Sequence, residues 1–170
     1  MLLEYRLKTT DEIKNGKEPC FEKVKGYETE AIKTVRDVMK FCRDELKLQD
    51  LEYEKSYVFV GAEDEFALFY RLGKSDTSEV HVPIEDAVLP FALPVVSKVV
   101  YVHNHPLSDG GYNISASEDD IRTARYLKEI GKERCEGSYI FADDIYIDIE
   151  EYAKAYPNII ELEEPVYHQV

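Results

Sequence analysis

The sequence has few cysteines and no cysteine pair. Of its 170 residues only three are cysteines, namely Cys20, Cys42 and Cys135. They form no CxxC motif, and an odd, scattered set does not make a disulfide framework. We therefore expect three separate thiols that are buried or have no special role.

The sequence also lacks a long apolar run. No stretch approaches the roughly 18 apolar residues that a membrane-spanning helix needs. Charged residues follow closely after Met1-Leu2-Leu3, which is too early for the apolar segment of a signal peptide. We therefore expect a cytoplasmic protein.

Basic residues are scarce relative to acidic ones. The chain has 21 Lys and Arg residues against 35 Asp and Glu residues, which gives a formal net charge of −14. Nucleic-acid binding relies on clustered basic side chains that contact phosphates, and no dense Lys/Arg cluster is present. Direct nucleic-acid binding is therefore disfavoured, and the charge fits a solvated surface or a basic partner.

The sequence does contain enough apolar residues for one globular core. At 170 residues and 44% hydrophobic composition, the chain has the size of a single domain. We predict one domain over residues 1–170, in which residues 1–27 form an N-terminal extension. Helix and strand patterns alternate with hairpins, which predicts an α/β (α+β) fold with a mixed β-sheet flanked by helices.

The main elements follow from the spacing of apolar residues. A recurrence every three or four positions predicts one helix from Thr29, as N-cap, to about Leu48 and another from Glu118 to about Ile130. Short apolar runs bounded by Gly, Pro or polar turns predict strands. The predicted strands are Leu3–Leu7, Tyr57–Val60, Phe66–Leu72, Val80–Val82, Lys98–Val102, Ser138–Phe141 and Ile145–Ile149, and two weaker helical segments are Asp86–Ser97 and Glu150–Tyr156.

Two histidines follow one of these strands in the string HNHP. Residues i and i+2 of a strand point to the same side, so His103 and His105 can present two imidazoles to one point. Asp120 comes 15 residues after His105, in the first turn of the next predicted helix. Two imidazoles and a carboxylate are typical ligands of a catalytic zinc, which keeps its fourth position open. The sequence therefore predicts a zinc site.

Each of these pieces also has a structural interpretation. An HxH pair can be a polar pair that faces solvent from an alternating strand. Ser117-x-x-Asp120 resembles a helix capping box, in which Ser117 is the N-cap and Asp120 replaces the usual Glu or Gln. The metal-site prediction depends on the order and spacing of the pieces taken together.

HNHP, the downstream S-x-x-D-I and an upstream Glu together resemble the motif of the JAMM (MPN+) metalloprotease family. The string HNHP and the S-x-x-D-I at 117–121 are most similar to its RadC-like bacterial branch, and the resemblance covers roughly residues 50–152. It implies the JAMM/MPN architecture, which is related to that of the cytidine deaminases. It also implies a zinc-dependent hydrolase of peptide or isopeptide bonds, with ubiquitin-like proteins among the substrates.

The same resemblance leaves two alternative functions. One is a RadC-like protein associated with DNA repair or mobile-element functions. The other is a non-catalytic interaction scaffold of the MPN type, because a fold does not fix a function.

The resemblance further implies a role for each site residue. In the family, a Glu at the start of an earlier strand activates the zinc-bound water. Glu54 fits that place because it lies seven residues before Gly61, and Glu52 is the alternative. The implied site consists of Glu54 as general base, Ser117 as hydrogen-bond donor to the oxyanion, and His103, His105 and Asp120 as zinc ligands.

The loop before the second predicted helix departs from the usual family pattern. His105 and Ser117 are 12 positions apart, which is longer than usual, and Ala116 replaces the usual Pro. The pair Ser117 and Asp120 is preferred because Ile121 and the apolar helix spacing follow in phase. The longer loop, with Gly110-Gly111, either shapes the substrate site or is an idle insertion. The alternatives that stay open are Ser115 for the hydroxyl and Asp109 or Asp119 for the ligand.

Overall fold

The structure is a computed structural model that describes residues 1–8, 20–73, 83–106, 115–142, 144–155 and 167–170. Eight strands and four α-helices lie in these residues. In chain order the strands are β1 (Leu2–Leu7), β2 (Phe21–Tyr27), β3 (Ser56–Ala62), β4 (Glu65–Leu72), β5 (Lys98–Asn104), β6 (Cys135–Ala142), β7 (Ile145–Asp148) and β8 (His168–Gln169). The helices are α1 (Val35–Asp44), α2 (Ile84–Val88), α3 (Glu118–Gly131) and α4 (Ile149–Ala155).

The strands form one mixed sheet in the order β2-β1-β4-β3-β5-β6-β7-β8. The pairs β1/β4 and β5/β6 are parallel, and the other neighbouring pairs are antiparallel. The predicted mixed sheet with helices is therefore confirmed. None of the helices in the described part of the chain is long and apolar enough to cross a membrane.

Both faces of the central strand β5 are buried. Val100 and Val102 pack into the core cluster that contains α1, whereas Val99 and Tyr101 pack into the cluster that contains Leu127 of α3. Alternate residues of a strand point to opposite faces, so a run that is apolar at every position suits a strand covered on both sides. The sheet therefore separates α1 from α2 and α3.

Residues 1–27, predicted as an extension, supply two strands of the sheet. β1 lies between β2 and β4, and Leu2 is fully buried. The sequence did not predict β2, because its residues FEKVKGY are mostly exposed and show no apolar face. An edge strand of this kind has neighbours on one side only and carries a weak sequence signal.

Helix α1 is shorter than predicted. The prediction of Thr29 as the N-cap is wrong, since the helix begins after Thr34. The Thr34 hydroxyl oxygen accepts a hydrogen bond from the backbone N–H of Asp37 at 3.1 Å, and the Asp37 carboxylate accepts one from the backbone N–H of Thr34 at 2.9 Å. This reciprocal capping box fixes the start of the helix.

Strand β5 extends two residues beyond its predicted end at Val102. His103 therefore lies inside the sheet, opposite Ser56 of β3 and Ile140 of β6. At the other end Lys98 is buried, and its ammonium group donates hydrogen bonds to two backbone carbonyl oxygens. The strand that carries the histidine is thus fixed along its whole length.

Two further predicted elements differ from the structure, and a third lies outside the residues that the structure describes. The segment 86–97 contains the end of α2 and a 3-10 turn over Leu89–Ala92. The strand predicted at 145–149 ends at Asp148, because Ile149 begins α4. The predicted strand Val80–Val82 lies outside the described residues.

All three cysteines are free thiols. Cys20 is exposed, and burial raises the pKa of Cys42 and of Cys135.

Candidate metal centre

Four of the five predicted site residues converge at the carboxyl end of β5. Glu54, His103, His105 and Asp120 each offer a ligand atom, and these four atoms all lie within 4.8 Å of one another. The four side chains are partly buried, with exposed fractions of 12% to 18%. The structure therefore places two imidazole nitrogens and two carboxylates in one sheltered cluster that can hold a metal ion.

The separations of the donor atoms fit one small ion. His103 Nε2 lies 3.2 Å from His105 Nε2 and 3.4 Å from Asp120 Oδ1. His105 Nε2 lies 3.7 Å from Asp120 Oδ2. A tetrahedral ion at about 2.0–2.1 Å from each ligand holds its ligand atoms roughly 3.3 Å apart. The two imidazole nitrogens and the Asp120 carboxylate, which faces each imidazole with a different oxygen, therefore lie close enough together to hold one metal ion.

The charge of the cluster also favours a cation. Glu54 and Asp120 bring two carboxylates together in a partly buried place, where like charges repel each other. A divalent cation held by the two histidines and Asp120 would balance the two negative charges.

Glu54 approaches the cluster from the segment before β3. Its Oε1 atom lies 3.6 Å from His103 Nε2 and 3.9 Å from His105 Nε2. Glu52, the alternative from the sequence, is exposed and does not belong to the cluster. Of these two carboxylates, only Glu54 lies where it can act on a group bound at the histidines.

Asn104, between the two histidines, holds the segment that carries Glu54. Its Oδ1 accepts a hydrogen bond from Lys55 N at 2.7 Å, and its Nδ2 donates to Tyr53 O at 2.9 Å and to Leu48 O at 3.5 Å. The bonds to Lys55 and Tyr53 fix the backbone on both sides of Glu54. The side chain of Asn104 is thus a clip between β5 and the base-bearing segment.

The role of Asn104 was not predicted from the sequence, although a signal was present. Asn104 continues the buried alternation of Val100 and Val102 and is only 1% exposed. A buried amide needs hydrogen-bond partners, so an Asn in this phase of a buried strand indicates a tertiary contact. The pattern does not tell which segment supplies the partners.

Asp120 is held by the helix start that the sequence predicted. The Ser117 hydroxyl oxygen accepts from Asp120 N at 3.1 Å, and Asp120 Oδ2 accepts from Ser117 N at 2.9 Å. The capping-box interpretation is therefore confirmed. It does not compete with the metal site, because the same carboxylate faces His103 through Oδ1.

The surroundings of Asp120 keep its carboxyl ionised. Burial works against the charged form, but the hydrogen bond and charge of His103 and the N–H of Ser117 outweigh it and lower the pKa to about 2. An ionised carboxylate is the form that binds a metal. Asp120 is therefore ready to act as a ligand throughout the neutral range.

Of the other residues proposed for this region, those that the structure describes do not join the cluster. The Asp119 side chain is 86% exposed and pairs with Arg122 at 3.0 Å. Ser115 is exposed and precedes the helix cap. Asp109 and Gly110-Gly111 lie outside the described residues.

A cavity of about 290 Å³ opens next to the cluster. Glu54, His103 and Asp120 line it on the side of the cluster, and Tyr101 and Leu127 line it deeper between the sheet and α3. A ligand bound at the histidines therefore has space beside it for a further group.

No protein-family model matches this chain, and no curated protein matches it significantly. Support for a functional site therefore comes from its geometry, in which four possible metal ligands converge beside a cavity.

Proposed function

We propose that this chain is a zinc-dependent hydrolase of peptide or isopeptide bonds, built on the JAMM/MPN architecture and closest to its RadC-like branch. One observation carries the proposal. The imidazole nitrogens of His103 and His105 lie 3.2 Å apart, the Asp120 oxygens lie 3.4 Å and 3.7 Å from them, and the Glu54 carboxylate stands beside them. Two imidazoles and one carboxylate are a ligand set of catalytic zinc.

The three ligands would be presented by rigid parts of the fold. His103 lies within β5, His105 follows it with its backbone N–H donating to Phe141 O, and Asp120 is fixed by the capping box of α3. When bound, zinc supplies a Lewis acid and lowers the pKa of water towards about 7. Because the ligands need no rearrangement, the site is preorganised for that ion.

Glu54 would serve as the general base. Its Oε1 accepts a proton from the attacking water and later delivers that proton to the leaving amine. Its position relative to the histidines is set by Asn104, which bonds the backbone on both sides of it. A base that is already held in its reactive position lowers the entropic cost of the proton transfer.

Ser117 would stabilise the oxyanion of the tetrahedral intermediate. Its Oγ atom already accepts a hydrogen bond from Asp120 N, which leaves the hydroxyl hydrogen to donate. If that hydrogen points to the bound substrate, it would stabilise the charge that develops in the transition state.

The substrate class follows from the resemblance and the charge. The resemblance favours peptides or ubiquitin-like proteins, and a net charge of −14 favours a protein partner over DNA. A DNA-associated RadC-like protein and a metal-free scaffold are the alternatives that the following experiment separates.

The test compares wild type, Glu54→Gln and Glu52→Gln, each loaded with zinc, on a panel of peptide and isopeptide substrates. Metal content is measured in parallel. We expect one zinc per chain in all three proteins, unchanged turnover in Glu52→Gln, and a turnover about 10²- to 10⁴-fold lower in Glu54→Gln, which lacks the general base.

Each other result removes a part of the proposal. Equal turnover in Glu54→Gln and wild type removes Glu54 from the mechanism, and loss of zinc from Glu54→Gln makes it a ligand instead. A wild-type protein that binds no zinc supports the scaffold. Salt-dependent DNA binding without hydrolysis supports the DNA-associated alternative.

A further inference from the structure

We propose that the cavity beside the metal centre is a specificity subsite, and that it takes one uncharged substrate side chain whose hydrogen-bonding group is read by Ser138. The inference rests on the proposed hydrolase function and adds to it the kind of residue that flanks the bond to be cleaved.

The cavity leads inward from the metal centre beneath α3. Asp120, Ala124 and Leu127 line it from the helix. At 1.5 Å of rise per residue, the step from Asp120 to Leu127 is about 10 Å. His103 lines the cavity from the sheet, and Tyr101 and Ser138, which are paired neighbours on β5 and β6, line it one row deeper. A substrate held at the histidines can therefore send a side chain into this space.

The size of the cavity suits a single side chain. Pockets for whole small molecules measure about 300–1,000 Å³. At about 290 Å³ this cavity is at or below the lower end of that range. It is therefore too small for a large ligand and large enough for one residue of a peptide.

The lining selects against charged side chains. The charged residues that line the cavity are Glu54 and Asp120, at the metal centre, and Asp119 and Arg122, whose side chains are 86% and 74% exposed at the rim. The deeper lining is apolar apart from hydroxyl groups. A charged side chain in this space would lose its contact with water, and none of the described residues deeper in the cavity offers an opposite charge.

One hydroxyl in this lining has no partner. Ser138 is only 7% exposed, and its Oγ has no hydrogen-bond partner among the described residues. The hydroxyl of its neighbour Tyr101 donates its hydrogen to Ala87 O and not to Ser138. Buried polar groups in proteins nearly always have a partner, so an orphan hydroxyl in a cavity wall points to a bound group.

A side chain that completes this hydrogen bond should be preferred over an apolar one of similar size. Glutamine and leucine provide such a comparison, since both are uncharged and the glutamine amide can donate to and accept from a hydroxyl. A single neutral hydrogen bond corresponds to about a threefold to tenfold difference in affinity. Glutamate tests the exclusion of negative charge.

The experiment titrates N-acetyl-glutaminamide, N-acetyl-leucinamide and N-acetyl-glutamate amide into the full chain, with and without zinc. Binding is followed through the NMR shifts of the Ser138 and Ala124 amides. The variants are Ser138→Ala and the matched control Ser97→Ala, whose hydroxyl donates to Glu63 O at 2.8 Å outside the cavity. Thermal unfolding of each protein is measured alongside.

We expect wild type and Ser97→Ala to bind the glutamine probe about threefold to tenfold more tightly than the leucine probe, and the glutamate probe most weakly. In Ser138→Ala the preference for glutamine should disappear. Ser138→Ala should unfold at the same or a higher temperature than wild type, because its hydroxyl has no partner to lose, whereas Ser97→Ala should unfold at a lower one.

Three results would overturn the subsite. They are the same probe preference in Ser138→Ala and wild type, the absence of any shift at Ser138 and Ala124, and a loss of stability in Ser138→Ala as large as that in Ser97→Ala. Binding is measured without turnover. A chain that shows the glutamine preference but hydrolyses nothing would therefore contradict the proposed hydrolase and leave the subsite standing.

Discussion

Helices α1 and α3 start on the same short motif. α1 begins with Thr34-x-x-Asp37 and α3 with Ser117-x-x-Asp120. In both, the hydroxyl oxygen accepts from the N–H of the Asp at 3.1 Å, and the carboxylate accepts from the N–H of the capping residue at 2.9 Å. The two helix starts are therefore matched in local structure.

The two helix starts differ in the further contact that each Asp carboxylate makes. Asp37 Oδ2 accepts a second hydrogen bond from the backbone N–H of Lys33 at 2.9 Å. Asp120 directs Oδ1 to His103 at 3.4 Å. The motif holds a carboxylate at the start of a helix in both cases, and only the strand end opposite α3 turns that carboxylate into a candidate ligand.

Substitutions in the two capping boxes should differ most in their effect on metal affinity. Asp120→Asn keeps an acceptor oxygen for the Ser117 N–H but removes the anionic ligand. We expect zinc affinity to fall by more than about 100-fold, because removing an outer-shell group already costs 10- to 100-fold. Asp37→Asn, the matched control, should bind zinc like wild type. Competition with a chelator measures both, and equal affinity of the two variants would show that Asp120 is not a ligand.

The next effect should be on turnover. Ser117→Ala removes the proposed oxyanion donor and should lower kcat about 100-fold, whereas Thr34→Ala should leave kcat unchanged. Each substitution also removes an N-cap and should lower the free energy of unfolding by about 1 kcal/mol. Steady-state kinetics together with urea unfolding separate the two consequences. A kcat loss of the same size in Thr34→Ala would mean that capping alone explains the effect.

The smallest effect should be the pH dependence of stability in the metal-free protein. Burial opposes ionisation of both carboxyls, but hydrogen bonds outweigh it and lower both pKa values, that of Asp120 from 3.8 to about 2. A lowered carboxyl pKa stabilises the fold above the ordinary value, and this contribution is lost as pH falls from 3.8 to about 2. For Asp120 it amounts to at most about 2 kcal/mol, since solvent screens the exposed part of the carboxylate.

Urea unfolding at a series of pH values measures this contribution. The difference between wild type and Asp120→Asn should shrink as pH falls from about 4 towards about 2. Asp37→Asn should show a change of the same sign. A difference that grows on acidification would contradict the lowered pKa of Asp120.

The parts of the site that the sequence predicted depend on local spacing. His103 and His105 share a side of the chain because they are two residues apart at a strand end, and Ser117 and Asp120 share a helix cap because they are three apart. Strand and helix periods determine such relations without knowledge of the whole fold. The same holds for the two apolar faces of β5.

The parts that the sequence left open depend on distant contacts. Glu54 and Glu52 look alike until the pairing of Ser56 with His103 sets where β3 begins. The partners of Asn104 lie 49 to 56 residues earlier in the chain. The spacing of residues along a strand or helix does not predict such contacts, because they form only when separate segments pack together.

The clip made by Asn104 has a consequence for the order in which the molecule is assembled. Lys55 and Asn104 are 49 residues apart, and contacts across long loops have a high entropy of closure and form slowly. A nascent chain that has emerged only as far as β4 already contains Glu54 but lacks Asn104, whose side chain bonds the backbone on both sides of Glu54. The carboxylate reaches its working position only when β5 joins β3, which is the same step that brings in the histidines. Glu54 and the histidines therefore come together in one step, whereas Asp120 is added later, because α3 follows β5 in the chain.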